Sequence, residues 1–178
     1  MANICSFSMY VKGNNDDIQS FYNAMCQNGK FYMGRGADAE IVIDEGCANI
    51  DGWCKWSVQS ALIDNAISMR TNPGMWYFGD DFDASQVEFI TLFEACKKWN
   101  LDMEVYSEEC GCEFQEHYMF VDGKLIIDEC VEWHEYYLGD FDTKEEAEEE
   151  LEIQITDAEW NERECISRGG FGEWHFEI

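Results

Sequence analysis

Carboxylates are the chemically active groups that this sequence supplies in the largest number, and several of them recur at regular spacing. Alternate residues of a β-strand lie about 6.6–6.8 Å apart, which is about twice the 3.4 Å rise per nucleotide of a DNA strand. Rows of acidic side chains at this spacing could therefore occupy a basic groove that normally holds nucleic acid. The residues predicted to form such rows, and so to bind a partner, are Asp102, Glu104, Glu113, Asp128, Glu132, Glu145, Glu146, Glu148, Glu149, Glu150 and Glu152.

Cysteine and histidine residues raise the question of a zinc site. The chain has nine cysteines, and Cys110, Cys112, Cys130 and His134 are the set to test. If residues 124–134 form a strand, Cys130 and His134 are about 13 Å apart, whereas zinc ligands lie about 2.0–2.3 Å from the ion. We therefore expect reduced thiols, most of them small core side chains, with no metal and no other cofactor.

An aspartate-rich loop offers a second type of cation site. Asp80, Asp81 and Asp83 lie close together, but the twelve-residue loop with a terminal Glu that is typical of an EF-hand is missing. A solvated loop that precedes a helix explains the three carboxylates more simply. A cation-dependent enzyme or a metal-binding module stays open as an alternative.

Catalytic arrangements have little support. A regular hairpin would place Glu116 opposite Glu129 and raise the pKa of one of them, but a bulge would change that register. The nucleophile-elbow, P-loop and dinucleotide-binding motifs are absent, and the cluster Gly169, Gly170 and Gly172 has no Lys-Ser/Thr behind it. We predict that the protein is not an enzyme.

The net charge excludes several classes of partner. With 38 acidic and 11 basic residues the chain carries −27, whereas about 2–8 charges keep a small domain soluble. Residues 101–178 contribute −21 of this total, from 25 acidic and four basic residues. Such a charge repels phosphate and anionic lipid and favours a basic protein partner, although acidic solubilisation or adaptation to salt would also produce it.

The elements that must position these residues begin with strands and helices in alternation. Residues 5–12 alternate as a strand, and apolar residues within 16–25 repeat at helical spacing. Strands are predicted at 39–43 and 47–58, and a short helix at 60–69.

Two capping-box patterns predict further helices. Ser85 with Glu88 three residues later indicates a helix that Asn100 ends, and a strand follows from Leu101. Thr143 and Glu146 indicate a second, acidic helix that runs to about residue 151.

The clearest turn signal is the dipeptide Asp122-Gly123, which is typical of a two-residue type I′ hairpin. It would pair residues 112–121 with 124–134 and place Val121 opposite Lys124. Regular pairing from there predicts an apolar face and a polar face, as in an antiparallel sheet covered on one side. The apolar face would carry Cys112, Phe114, Tyr118, Phe120, Leu125, Ile127, Val131 and Trp133, and the polar face Glu113, His117, Asp128, Glu132 and His134.

The order of these elements predicts the fold. We expect an α+β protein with a ferredoxin-like antiparallel sheet and helices on one face. A C-terminal β-hairpin and the acidic helix would extend it. Residues 1–178 would form a single domain, with the ferredoxin-like core at 1–107 and the acidic extension at 108–178.

Two stretches of the sequence resemble a phage protein family. The opening MANICSFSMYVKGNNDDIQSFYNAM is similar to the start of Api92-like phage proteins, with Asn-x-Cys, a strand that ends in Gly and an acidic-capped helix. Residues 50–58, IDGWCKWSV, look like the Gly-x-Cys-x-Trp-Ser-Val strand of the ferredoxin-like modules in that family. The resemblance lies within the first third of the chain, implies a mobile-element origin and supplies no catalytic residues.

Size, acidity and this opening together also resemble type II-A anti-CRISPR proteins, the Cas9 inhibitors of gut-bacterial mobile elements. The resemblance implies binding to Cas9 in its guide-loaded form, whose basic channels hold nucleic acid. We therefore expect an acidic inhibitor that blocks target DNA binding or cleavage by nucleic-acid mimicry.

The expected location is the cytoplasm of the bacterial host. The sequence has no apolar run of about 18 residues, and its first residues lack the basic and apolar regions of a secretory signal. A phage accessory domain that assembles with itself is a further alternative, because four tryptophans could form an exposed patch: Trp53, Trp56, Trp76 and Trp133.

Overall fold

A computed structural model describes residues 3–72, 83–162 and 165–178 and shows an α+β protein. Its elements in chain order are β1 (Ile4–Lys12), α1 (Asn15–Met25), β2 (Phe31–Tyr32), β3 (Ala37–Asp44), β4 (Cys47–Lys55), α2 (Asn65–Thr71), β5 (Glu88–Phe89), α3 (Leu92–Trp99), β6 (Asp102–Glu109), β7 (Phe114–Val121), β8 (Lys124–Tyr137), α4 (Lys144–Leu151), α5 (Asp157–Glu162) and β9 (Cys165–Gly169). A π-helical stretch, Gln59–Asp64, leads directly into α2.

Most strands join one large antiparallel sheet. Its order is β3-β4-β1-β6-β7-β8-β9, and each neighbouring pair is antiparallel. Strands β2 and β5 pair in parallel in a separate two-stranded sheet. The expected α+β class with a large antiparallel sheet is confirmed.

The main core lies on one face of this sheet, which we call the helix-side face. Strand β1 alternates as the sequence predicts, and its Cys5, Phe7 and Met9 are buried on that face. Helix α1 covers them with Ile18 and Phe21, which are fully buried. Each large apolar side chain buried in this layer stabilises the fold by about 1.5–3 kcal/mol. The layer, to which α3 also contributes, therefore holds both helices against the sheet. The opposite face is called the open face below.

Helix α3 begins later than the capping-box pattern at Ser85 predicts. Asp83 accepts hydrogen bonds from the backbone and hydroxyl of Ser85 and caps a short 3-10 turn, and Glu88 enters β5. The true cap is Thr91, which forms a complete capping box with Glu94. The same sequence signature thus occurs twice within ten residues, and β5 pairing excludes the first occurrence. The predicted end at Asn100 is correct.

The hairpin turn is correct at its tip, but the register predicted further along β8 is wrong. Val121 pairs with Lys124 and Phe120 with Leu125, as expected. An irregularity then shifts the register by one, so that Met119 pairs with Ile127. Because side chains alternate between faces, this single extra residue moves every later side chain of β8 to the face opposite the predicted one.

A second, smaller core lies at the edge of the sheet formed by β8 and β9. Leu138, Ala147, Ile155 and Ile166 are buried together there, with Tyr136 packed against them. This core fastens α4 to the end of β8 and to β9.

In the described residues no helix is long and apolar enough to cross a membrane. The predicted turn at 72–74 and the aspartate loop at 79–83 lie largely outside the described residues, as does Trp76.

Candidate functional site

Helix α4 carries most of the acidic residues predicted to bind a partner. The Thr143 hydroxyl caps its N-terminus by accepting the backbone N–H of Glu146. Ala147 is fully buried in the second core, so the other sides of the helix face solvent. The exposed residues here are Glu145, Glu146, Glu149, Glu150 and, after the last turn, Glu152, whereas Glu148 is half-buried.

Two of these glutamates also stabilise the local backbone. Glu146 accepts the N–H of Asp142 at 3.2 Å, and Glu148 accepts the N–H of Ile155 at 2.9 Å. Substituting either one would disturb a loop as well as the charge. Glu145, Glu149 and Glu150 are therefore the positions of α4 at which binding is best tested.

The bulge in β8 brings further acids to the same side as α4. Asp128 and Glu132 are exposed and point to the helix-side face, because the register shift reverses their predicted orientation. Tyr136, four residues beyond Glu132, points to that face too and packs in the second core with Ala147 of α4. Asp128, Glu132 and α4 therefore lie on one face of the sheet.

Glu113 belongs to the same group. It occupies a left-handed backbone position between β6 and β7, with φ of +59°. Its Oε1 lies 3.2 Å from Nδ1 of His134, which shares the face of Glu132, and 59% of its side chain is exposed. We call Glu113, Asp128, Glu132 and the exposed glutamates of α4 the helix-side acidic surface.

The other two predicted residues lie elsewhere. Asp102 is half-buried on the open face and accepts the N–H of Asp122 at 2.8 Å, which fixes the β7–β8 turn. Glu104 is completely buried. Its Oε1 lies 2.8 Å from Nε2 of His117, and its Oε2 accepts the N–H of Glu177 at 2.6 Å. Glu104 is therefore not part of an exposed surface.

Residues 170–178, the C-terminal segment, cover the open face over β6 and β7. Tyr106 lies at the centre: its ring stacks on His117 at 3.9 Å between centroids and on Trp174 at 5.6 Å. Phe176 packs against Tyr106 and Tyr10. Burial raises the pKa of Tyr106 to about 12, and the Glu104 charge contributes. Strands β6 and β7 are thus buried on both faces, whereas the sequence predicts a sheet covered on one side.

A cavity of about 810 Å³ opens beside this segment. It is bounded by the indoles of Trp133 and Trp174 and by the carboxylates of Glu108, Glu135 and Glu173. Gly169 and Gly172 also line it, and both of them and Gly170 have positive φ. At Gly170 a Cβ would come within 2.5 Å of Gln115, which explains glycine there.

The open face also holds acids that the sequence analysis missed. Glu40 of β3 pairs directly with Asp51 of β4, and both are exposed. Directly opposed like charges are unfavourable, and here Asp51 is partly compensated by the Ser8 hydroxyl, which donates to it at 2.6 Å. No local signal reveals this pair, because it depends on the register of two strands.

Regular hairpin pairing would place Glu116 opposite Glu129, but the two residues are not paired in the structure. The bulge sets Glu116 opposite Cys130 instead. Its buried carboxylate accepts the N–H of Val58 at 2.8 Å and the hydroxyl of Ser107 at 2.7 Å. Glu116 thereby anchors the start of the π-helical stretch to the sheet, and burial together with this carboxylate raises the pKa of neighbouring Tyr118.

The cysteine and aspartate groups considered for metal binding remain dispersed. Cys110, Cys112 and Cys130 are exposed thiols, and Nδ1 of His134 faces Glu113. Across residues 3–72, 83–162 and 165–178, no three His, Cys, Asp or Glu side chains come together in a geometry that could hold a metal ion. Asp83 caps a turn, and Asp80 and Asp81 lie outside the described residues.

The described tryptophans of the proposed patch differ in exposure. Trp53 and Trp56 are 42% and 45% exposed, whereas Trp133 is buried. Trp53 points to the open face and Trp133 lines the cavity there, so they do not form one patch with Trp56 near the helix-side core.

Two of the described cations in the C-terminal half pair with acids outside the helix-side acidic surface. Lys144 pairs with Asp157 at 2.8 Å, and Arg168 pairs with Glu159 at 2.9 Å. The hydrogen bond and positive charge of Arg168, with bonds from Thr156, lower the pKa of Glu159 to about 2. The helix-side acidic surface thus keeps an excess of negative charge.

Comparison of this chain with protein-family models, with curated proteins and with solved structures finds no significant match.

Proposed function

We propose that the protein is a non-enzymatic inhibitor that binds a basic nucleic-acid-processing protein, namely guide-loaded Cas9, through the helix-side acidic surface. The observation that carries this proposal is that Glu113, Asp128, Glu132 and α4 lie on one face. A Cas9 channel that holds nucleic acid is lined with basic groups, to which such a surface is complementary.

The charge pattern of α4 supports a role in binding. Its last turn contains glutamates and no basic residue, so the helix dipole opposes these charges. Glu145 and Glu149, and likewise Glu146 and Glu150, are like charges one turn apart, an arrangement that destabilises a helix by about 0.2–0.5 kcal/mol per pair. A surface that lowers stability in this way is more readily explained by a partner than by packing.

The fold is compatible with the mobile-element origin that the sequence resemblance implies. Strands β3, β4, β1 and β6 are neighbours in that order, α1 connects β1 to the β2–β3 region, and α3 precedes β6. We propose that this part is a ferredoxin-like core, that β7–β9, α4 and α5 extend it within a single domain, and that the protein acts in the bacterial cytoplasm.

A cleavage assay tests this function. Guide-loaded Cas9 is incubated with the protein before or after target DNA at 50 and 300 mM salt. We expect inhibition near a stoichiometric ratio that weakens at high salt, because screening reduces attraction between charged surfaces. Full cleavage at a hundredfold excess of the protein, in either order of addition, would exclude Cas9 as the partner.

A variant pair tests the surface. The triple variant E145Q/E149Q/E150Q should raise the inhibitory concentration by about tenfold or more, because it removes three charges from the contact. The control E40Q/E45Q/E88Q removes three exposed acids outside residues 101–178 and should stay within about twofold of the unmodified protein. If the inhibitory concentration rises equally in both variants, only the total charge matters, which would contradict the assigned surface.

A further inference from the structure

Two buried cysteines lie directly opposite each other on neighbouring strands of the large sheet. Cys5 of β1 pairs with Cys54 of β4 in the antiparallel register, and both point to the helix-side core. Directly opposed residues of antiparallel strands have Cα atoms about 4.5 or 5.5 Å apart, and a disulfide requires about 4.4–6.8 Å. The backbone therefore already has the spacing that a disulfide needs.

The two side chains also interact with each other. Cys5 and Cys54 are free thiols with 0% and 1% exposure. A hydrogen bond with Cys5, together with burial, raises the pKa of Cys54. Among the strand pairs that the structure describes, this is the one position where the register sets a cysteine against a cysteine.

The pair lies close to the end of the β1–β4 ladder. Cys5 is the second residue of β1 and Cys54 the second-last residue of β4. The neighbouring Ile4 and Trp56 are 59% and 45% exposed. Local opening of a strand end is the motion that requires least free energy in a sheet, and it would admit a small reagent.

We propose that Cys5 and Cys54 are a site of reversible disulfide formation that reacts with a small disulfide such as glutathione disulfide. The thiolate of one cysteine attacks glutathione disulfide and releases one glutathione, which leaves a mixed disulfide on the protein. The second cysteine then attacks the protein sulfur and releases the second glutathione. The two protein thiols are oxidised, the glutathione disulfide is reduced, and the two thiol protons end on two glutathione molecules.

The raised pKa of Cys54 means that this thiol is seldom ionised while the strands are paired. Thiolate is the attacking species, so the closed strand pair reacts slowly and the exchange proceeds through the opened strand end. Once formed, the disulfide would be shielded by the same core. This inference is independent of the proposed inhibitor function.

The experiment uses the full chain with its four exposed cysteines replaced, C110S/C112S/C130S/C165S. This background is incubated with excess glutathione disulfide and then digested with trypsin under non-reducing conditions. We expect loss of two hydrogen atoms in the intact mass and a linked pair of peptides, 1–12 and 36–55, with fragmentation that assigns the bond to Cys54 rather than Cys47. We also expect a rise in Tm of about 10 °C that a reductant reverses.

Three results would overturn the proposal. These are no linked peptides after prolonged incubation, a stable glutathione adduct without the link, and a bond from Cys5 to any cysteine other than Cys54. In the same background, C54S should give no link, whereas C96S, which removes a buried cysteine elsewhere in the core, should leave it intact. If C54S fails to fold, the unsubstituted pair and the C96S control still decide the outcome.

Discussion

At the scale of single residues, two glutamates show how this chain keeps carboxylates away from solvent. Glu104 is held by His117 and by the N–H of Glu177, and Glu116 by the N–H of Val58 and the hydroxyl of Ser107. A buried carboxylate is tolerated only when such bonds replace its hydration. Counting acids in the sequence therefore overstates the surface available to a partner, and in particular it wrongly places Glu104 on that surface.

The ion pair of Glu159 gives a residue-scale prediction about pH. Its bonds to Arg168 and Thr156 lower its pKa from 4.5 to about 2. A carboxylate with a lowered folded-state pKa stabilises the fold above about pH 4.5, and this contribution disappears as the pH falls toward about 2. Urea unfolding should therefore show E159Q less stable than the unmodified protein at pH 7, with a difference that vanishes near pH 2.

The control for this prediction is E162Q, which removes the same charge from the same helix. Its difference from the unmodified protein should change less over that pH range. A pH-independent difference for E159Q would show that the ion pair does not govern this part of the acid response.

At the scale of elements, the sequence predicts structural features that depend on neighbouring residues, but it does not predict those that depend on residues far away in the chain. The Asp122-Gly123 turn is encoded by two adjacent residues, and the alternation of β1 by its own side chains, so both could be read from the sequence. The β8 bulge depends on pairing with β7. The C-terminal segment covers Tyr106, whose hydroxyl donates to the backbone carbonyl of His175, 69 residues later in the sequence. These features bury Glu104 and set the side of the sheet on which Asp128 and Glu132 lie. The sequence therefore predicts the members of the helix-side acidic surface but not the face of the sheet that they share.

The end of α4 gives an element-scale prediction. Glu152 adopts a left-handed conformation, with φ of +56°, immediately after the helix. Glycine adopts this conformation without the steric cost of about 1–2 kcal/mol that other residues carry. Chemical denaturation should show E152G more stable than the unmodified protein by about 1 kcal/mol.

Two matched variants separate charge from conformation here. E152Q removes the charge but keeps a side chain in the left-handed conformation. Its gain in stability should therefore be smaller than that of E152G. E150G introduces glycine inside the helix and should lose about 0.5–1 kcal/mol. A gain for E152Q equal to that for E152G would assign the effect to charge alone.

At the scale of the whole molecule, the charge distribution sets how the protein responds to salt. A net charge of −27 destabilises the compact state by self-repulsion. Sodium chloride screens this repulsion over about 10 Å at 0.1 M. We expect the Tm to rise by several degrees between 10 and 500 mM sodium chloride, since each kcal/mol adds about 2–4 °C for a chain of this size.

The variant E145Q/E149Q/E150Q provides the comparison. It should show a higher Tm at low salt and a smaller salt response, because part of the repulsion is already removed. A Tm that falls with added sodium chloride would mean that ion pairs such as Arg70–Glu94 outweigh the repulsion.

The position of β1 has a consequence for how the chain folds. It is the first strand in sequence, yet it lies between β4 and β6, and Ser6 pairs with Trp53 and with Glu108, which is 102 residues away. Closing such loops costs chain entropy before any contact offsets it, so topologies of this kind fold in about milliseconds to seconds. The β7–β8 ribbon, joined by a two-residue turn, can form in about 1–10 μs. We therefore expect β1 to pair with β6 later than β7 pairs with β8.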